Sequence, residues 1–381
     1  MKLARKLDSF KAYGGPAMNQ KLAKMRDEEG KDIINLGLGD PDVSPREHQL
    51  KALVDAASNP DNHHYPSAYP IRPFYEAIAS WYAKKHGVSG LDIETEMVYS
   101  LGGAEALYNI HQVLLDPEDL ALVSDPAYPS YDAGAHLAGG EVEFYPLLEE
   151  NNFLPDLEGI PTDVARKAKM IWVNLPNNPT GATADENFFP KLIEWAKEHD
   201  VWVISDAPYL DIAFDGYKPP SFLKYPGAKD VGVELNTMSK SFNACGWRVG
   251  YCLGNREIIA GLKKVKSQTD RGIFYPVQYA ATVSMNGPAD WMEEKNKMFA
   301  ERRDVVLEAW KKMGLSMQTP KATFYCWGRI PEGWTSRDFA FKLLEEKSVW
   351  MIPGSSYGPS GEGYIRISLA QSAARIQEAM D

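Results

Sequence analysis

Residues 236–251 read NTMSKSFNACGWRVGY. A single lysine, Lys240, stands between Ser239 and Ser241, and Arg248 follows in the same stretch, just ahead of an apolar run. Taken alone, this is a solvated loop whose cations carry no chemistry. The rest of the chain gives the lysine a setting.

From about 95 to 255, short apolar runs alternate with amphipathic stretches. LALVSD (120–125), MIWVNLP (170–176), VWVISD (201–206) and GYCLG (250–254) are each closed by Asp, Asn, Pro or Gly, as buried parallel strands are. Between them ENFFPKLIEWAKEHD (186–200) repeats its apolar residues at helical spacing. Such alternation predicts a doubly wound α/β domain on a mostly parallel sheet. Polar residues just past the C-terminal ends of its strands would face the ligand crevice. Three runs continue in that way, into SDPAY, NLPNNPTG and SDAPY.

After residue 275 the pattern changes. A helical stretch at about 290–313 leads into TFYCWGR (323–329), another helix, SVWMI (348–352) and YIRISL (364–369), which predicts a smaller α+β domain. The expected organisation is an arm over 1–45 packed on the smaller domain or on a partner subunit, a large domain over 46–275 and a small one over 276–381.

The chain has 381 residues and a net charge of −11, which argues against a nucleic-acid partner. Cys245, Cys252 and Cys326 are odd in number and without CxxC spacing, so a disulfide framework is not expected and a reduced, cytoplasmic setting is. The first residues lack the apolar centre of a signal peptide, and no window has the ~18 apolar residues of a membrane helix. The seven histidines form no HxH or HExxH pattern, so no metal is expected; His111, in ALYNIHQVLL, reads as a core histidine.

Several separate pieces bear on one chemistry. SLGGAEALYNI (100–110) sets glycines at the start of a helix, a tight turn or a backbone cradle for phosphate. PAYPSY (126–131) offers Tyr128 to stack on a flat ring, while Tyr131 fits the core equally well. Asn178 can donate to a ring oxygen or a carboxylate. Asp206, beyond a strand, needs a cationic partner if buried, and a protonated pyridine nitrogen would serve. A lysine meeting an aldehyde forms a Schiff base, and its freed amine can move a proton. Thr237, Ser239 and Arg248 suit a dianionic phosphate. Together these are the parts of a pyridoxal 5′-phosphate site.

The sequence resembles the fold-type I pyridoxal-phosphate aminotransferases of class I/II over essentially its whole length. It is most similar to the branch of LL-diaminopimelate and alanine-type transaminases. IINLGLGDPD (33–42), NPDNHHYPS (59–67), PLLEENNFLPDLEGIP (146–161), NLPNNPTGA (174–182), FDGYKPPSFLKYPGAKDVGVE (214–234), MSKSFNACGWRVGY (238–251) and YIRISLA (364–370) carry the likeness. The resemblance implies amino transfer between an L-amino acid and a 2-oxo acid, with 2-oxoglutarate/glutamate, alanine/pyruvate, aspartate or LL-diaminopimelate as candidates. It implies Lys240 as the Schiff-base lysine, Asp206 as partner of the ring nitrogen, Asn178 and Tyr209 as donors to the ring's O3′, and Tyr128 as the stacking ring. Gly103, Ala104, Thr237, Ser239 and Arg248 would hold the phosphate, with Tyr65 reaching it from the other subunit of a homodimer. Arg366 would clamp the substrate α-carboxylate with Asn178 and the backbone at Gly39. Arg271 departs from the pattern of relatives; it reads either a distal substrate carboxylate or forms a surface ion pair. A β-eliminating C–S lyase on the same fold is the alternative activity.

Overall fold

The computed structural model describes Ala4, residues 15–66 and residues 70–381. The rest of the first fourteen residues of the expected arm, and Ser67 at the end of NPDNHHYPS, lie outside the described residues. In chain order the strands are β1 Ile34–Asn35, β2 Met97–Leu101, β3 Leu120–Asp125, β4 Glu141–Pro146, β5 Ala168–Asn174, β6 Trp202–Asp206, β7 Gly232–Thr237 and β8 Val249–Gly254. Then come β9 Tyr325–Arg329, β10 Val349–Trp350, β11 Ile352–Pro353 and β12 Tyr364–Ser368.

Seven of these make one sheet, in the order β2-β8-β7-β6-β5-β3-β4. The pairs β3/β4, β3/β5, β5/β6 and β6/β7 are parallel. The expectation of a parallel strand at GYCLG is corrected: β8 runs antiparallel to both β7 and β2. A parallel return needs a crossover of roughly a dozen or more residues, usually a full helix. Between β7 and β8 the chain builds only the short helix Met238–Ser241 and the turn Cys245–Trp247, so it folds back on itself. That tight return puts Lys240 at the end of the sheet.

Both faces of the sheet are buried, which is why its strands read as apolar runs rather than alternations. Ile171, Val173 and Val203 point into a core with Ile78 and Trp81 of the helix Arg72–Trp81 and Phe189 and Leu192 of the helix Phe188–His199. Met170, Trp172 and Ile204 point the other way, against Leu107 and Ile110 of the helix Gly103–Leu114 and Ile258 and Leu262 of the helix Arg256–Thr269. His111 is fully buried in that second layer: its Nδ1 pairs with Leu107 O at 2.7 Å and its Nε2 accepts from Trp172 Nε1 at 3.0 Å. Burial pulls it down to about 4, so it stays neutral, a core histidine as expected.

A second core forms where β11, β12 and β9 make an antiparallel sheet against the helix Asp290–Lys312, with Phe299, Val306, Trp310, Ile365 and Ile367 inside. The packing crosses the expected boundary at 275/276. The helix Tyr275–Asn286 gives Ala281 and Met285 to the large core, and Trp291 and Met292 of the next helix join it before Phe299 enters the small one. Near the other end of the chain β1 pairs in parallel with β10, and Leu36 N–H donates to Trp350 O at 2.8 Å. This pairing lays residues 37–40 along the crevice at the strand ends. Among the described residues no helix is long and apolar enough to cross a membrane.

Candidate active site

At the C-terminal ends of β5, β6 and β7 lies a cavity of about 860 Å3. Lys240, Asp206, Tyr209, Gly103, Ala104, Tyr128, Asn178, Thr237, Ser239, Arg248, Gly39 and Arg366 all line it. This is where the crevice rule puts a ligand in an open α/β sheet.

Lys240 stands on the helix Met238–Ser241, whose first turn is capped by Thr237: Ser239 N–H donates to Thr237 Oγ1 at 3.1 Å. The Lys240 ammonium donates to Gly39 O at 2.5 Å and lies 3.9 Å from Asp40 Oδ1. Gly39 therefore faces the lysine through its carbonyl, and the carbonyl that meets Arg366 is that of Gly37, at 2.8 Å.

Asp206 ends β6, paired in register with Asn174 at the end of β5. Asn174 Nδ2 donates to Asp206 O at 2.8 Å, and Asn174 Oδ1 accepts Asn178 N–H at 2.7 Å, so one side chain sets both residues. Tyr131 Oη donates to Asp206 Oδ2 at 2.6 Å, with its ring stacked on Trp172 at 4.5 Å. Burial pushes the Asp206 carboxyl up to about 6, against the opposing pull of the Tyr131 hydrogen bond and the charge on Lys240.

Gly102 caps the helix Gly103–Leu114 with φ +77°, in the left-handed region. A Cβ there would stand 2.2 Å from Arg248 Nη2, so only glycine lets the guanidinium lie against the start of the helix. Arg248 itself sits at φ +54° and donates to Cys245 O at 2.9 Å. Thr237 Oγ1 and Ser239 Oγ are 2.9 Å apart beside it. Helix amides, two hydroxyls and a guanidinium thus converge on one corner of the cavity, which is the donor set of a phosphate site.

Opposite stands Arg366 on β12, 3% exposed, donating to Asn178 Oδ1 at 2.9 Å and stacked 4.1 Å from the Tyr325 ring centroid. Tyr325 Oη is 3.4 Å from Tyr209 Oη. Sequence reasoning passed over Tyr325 and Asn174 and left Tyr131 undecided. Asn174, a polar residue closing an apolar strand, carried the same signal as Asp206; Tyr325 carried none.

Two expected residues stand apart. Tyr65 is 87% exposed and Arg271 is exposed, and neither lines this chain's cavity.

The cavity fits the suggested cofactor on its own chemistry. A desolvated carboxylate held at about 6 suits a cationic ring nitrogen, and the corner of Gly102 and Arg248 suits a phosphate. With a primary amine between them, the fold and site define a pyridoxal-phosphate-dependent aminotransferase. Known proteins agree. The family profile for class I and II aminotransferases matches residues 31–381, and the chain belongs to that family. The LL-diaminopimelate aminotransferase of Moorella thermoacetica is 45% identical over 381 residues, covering 100% of this chain and 97% of that relative. The substrate-bound BacF structure from Bacillus subtilis superposes with a TM-score of 0.94 at 37% identity, covering 100% of this chain and 96% of that one. A Thermus thermophilus structure described as "probable N-succinyldiaminopimelate aminotransferase" gives 0.90 at 37% identity, over 96% of this chain and 97% of that one. The enzyme transfers amino groups with pyridoxal 5′-phosphate carried as a Schiff base on a lysine.

Proposed function

We propose that the enzyme takes the amino group of LL-diaminopimelate and gives it to 2-oxoglutarate, through Lys240, Asp206 and Arg366. The observation that supports this most is that one cavity presents the Lys240 amine, the buried Asp206 carboxylate and the buried Arg366 guanidinium together. Curated relatives from Moorella thermoacetica, Syntrophobacter fumaroxidans and Dehalococcoides mccartyi, at 45%, 44% and 42% identity, are named for LL-diaminopimelate. The outer cavity supports a substrate with a second polar head, since Asn19, Lys21, Arg337, Ser355 and Ser356 line it.

When bound, pyridoxal phosphate supplies an aldehyde for amines and a conjugated ring that accepts an electron pair. Gly103, Ala104, Thr237, Ser239 and Arg248 would hold its phosphate, Tyr128 its ring face, and Asn178 and Tyr209 its O3′ side. Arg366 binds the substrate α-carboxylate by its fork, oriented by Asn178 and Gly37 O. Lys240 Nζ would take the proton from the substrate Cα and hold it for return during the same half-reaction. Asp206 stays ionised at neutral pH, above its value of about 6, and holds a positive charge at the ring nitrogen.

A homodimer accompanies this reading. Leu50 and Val54 of the helix Glu47–Ala57, Phe274, and Tyr279 and Val283 of the helix Tyr275–Asn286 are exposed apolar side chains on two helices that pack together. Such a patch suits a second copy, and Tyr65, beyond one of these helices, then reaches the partner's phosphate corner. Three free cysteines suit a cytoplasmic setting.

The test is a set of single half-reactions. The cofactor-loaded enzyme is mixed with LL-diaminopimelate, alanine, aspartate or glutamate alone, and the loss of its visible absorbance is timed. Among LL-diaminopimelate, alanine and aspartate, LL-diaminopimelate is expected to react with the largest second-order rate constant, with glutamate, the product of the second half-reaction, reacting as well. Faster turnover of aspartate or alanine would move the substrate assignment and leave the site intact.

A further inference from the structure

The helix Asp290–Lys312 buries a stripe of Trp291, Met292, Phe299, Val306 and Trp310, and Lys295 lies on that stripe at 4% exposure. An ammonium is costly to bury unless hydrogen bonds replace its water. Here they do: Lys295 Nζ donates to Ser241 O at 2.5 Å and to Lys240 O at 3.3 Å, above the Trp291 ring at 5.2 Å. Those two carbonyls end the short helix that carries Lys240. The last carbonyls of any helix lack intrahelical donors, and a cation at that end meets the negative end of the helix dipole favourably. The other two carbonyls of the helix are served from within the loop: Met238 O accepts Phe242 N–H at 3.1 Å, and Ser239 O accepts from Cys245 Sγ.

The next residue, Asn296, donates from Nδ2 to Asp211 O at 2.9 Å. Asp211 lies on the segment that follows Asp206 and Tyr209, and its buried carboxylate contacts His86 at 3.3 Å. Although burial acts against it, His86 and the Ser241 hydroxyl hold Asp211 below the ordinary carboxylate range, so a buried anion faces the buried ammonium. Adjacent side chains of one helix therefore grip the backbone of both catalytic segments.

From this we infer that Lys295 is a positioning residue for Lys240: its ammonium caps the carbonyls at the end of the lysine's own helix and braces them against the segment carrying Asp206 and Tyr209. The inference rests on Lys240 being the residue that holds the cofactor. The groups facing the Lys295 ammonium are Asp211, Arg46 and Cys245, with Lys240 beyond the shared carbonyls and His86 behind Asp211. Burial first, then Arg46, outweigh Asp211 and Cys245 and bring Lys295 down to about 7. The brace is thus charged in mildly acidic solution and discharges as the pH rises through neutrality.

The test compares cofactor-loaded wild type with Lys295→Met, Lys295→Gln and Lys295→Arg. Lys295→Met is expected to lower kcat on the order of 10- to 100-fold, the range for a small misplacement of a reacting group, with KM nearly unchanged. It should also move the pH midpoint of the bound cofactor's visible absorbance upward, because a neighbouring cation is gone. Lys295→Arg should recover most of kcat and the midpoint. A Lys295→Met enzyme with a lower Tm but an unchanged midpoint and kcat overturns the inference and leaves a purely structural lysine. Should Lys295→Met fail to fold, Lys295→Gln decides in the same way, since it can bond one carbonyl without charge: an unmoved midpoint overturns the inference, a raised one supports it. Lys240→Ala is the separate control. Cofactor still trapped covalently on that variant by borohydride overturns the assignment of Lys240 itself, whatever the Lys295 variants do.

Discussion

Arg366 donates to Asn178 Oδ1 at 2.9 Å, so the cation of the C-terminal strand is aimed by an amide from the PNNPTG loop. Arg366 stands between Ile365 and Ile367 of the smaller core and Asn178 on the loop after β5, and both line the cavity. Each fixes the other: Asn178 through Asn174, Arg366 through Gly37 O and the face of Tyr325.

Substituting Arg366 by lysine should therefore be far from conservative. Lysine keeps the charge but loses the planar fork and the stack on Tyr325. Truncating one partner of a buried, hydrogen-bonded charge pair costs about 2–5 kcal/mol, and that loss is expected in kcat/KM for Arg366→Lys, chiefly as a raised KM. Steady-state kinetics with amino donor and 2-oxo acceptor would check it. A variant within a few-fold of wild type for both would take the α-carboxylate away from Arg366.

Asp206 offers a prediction of opposite sign for stability and for activity. Its folded value, about 6, lies above the ordinary 3.8, so the protein gains stability from its proton. That contribution is full below about 4 and is lost as the pH rises through 6; two units correspond to about 3 kcal/mol. Cofactor-free Asp206→Asn should be more stable than wild type at pH 7, by up to this order, and the gain should vanish toward pH 4. The loaded variant should lose activity, since a neutral amide cannot hold the ring nitrogen's charge. Melting curves at both pH values test the first half. Equal Tm values at pH 7 would mean that Asp206 is less isolated from water than its burial implies.

Much of this site was legible because its residues close strands. Asp206 and Asn178 follow or end apolar runs, and a buried parallel sheet announces itself by such runs. β7 was harder to read, for GVELNT carries Glu234 and Asn236 in its middle; Glu234 is buried and satisfied by the Ser221 hydroxyl and Phe222 N–H, partners 12 to 13 residues earlier. β4, EVEFYP, is an edge strand whose charges face outward. The reversed direction of β8 depended on the length of the β7–β8 link, which the apolar pattern does not register. Tyr325 and Lys295 were hidden for a different reason. Each acts through a partner distant in the chain, and no local spacing encodes that.

Gly102 should be intolerant of any side chain. Alanine there meets φ +77° and a guanidinium nitrogen at 2.2 Å, and left-handed strain alone costs on the order of 1 kcal/mol or more. The chain can relieve the clash only by swinging Arg248 out of the phosphate corner. Gly102→Ala is expected to weaken cofactor binding at least tenfold, roughly 1.4 kcal/mol, while Lys240 still attaches whatever binds. Titration of the apoenzyme with pyridoxal phosphate gives the answer. Unchanged affinity would mean that Arg248 contributes nothing to the phosphate.

The proposed dimer makes Tyr65 and the exposed helix faces depend on one another. Val54 is 62% exposed and Tyr279 41%, unusual for apolar side chains grouped on packed helices. Introducing charge into the patch, as Val54→Asp with Tyr279→Asp, should leave each subunit folded, because neither side chain belongs to a buried core. It should convert the dimer to a monomer, and Tyr65 would then have no phosphate corner within reach. Activity is therefore expected to fall with the dimer fraction, and to rise again with protein concentration as dimers re-form by mass action. Tyr65→Phe, in a protein that remains dimeric, should weaken cofactor affinity by the worth of one hydrogen bond to a charged group, about 1.5–3 kcal/mol. Sedimentation velocity alongside activity separates the two effects. A double variant that is monomeric and fully active would remove both the shared site and the role of Tyr65. One that stays dimeric would place the interface on another face.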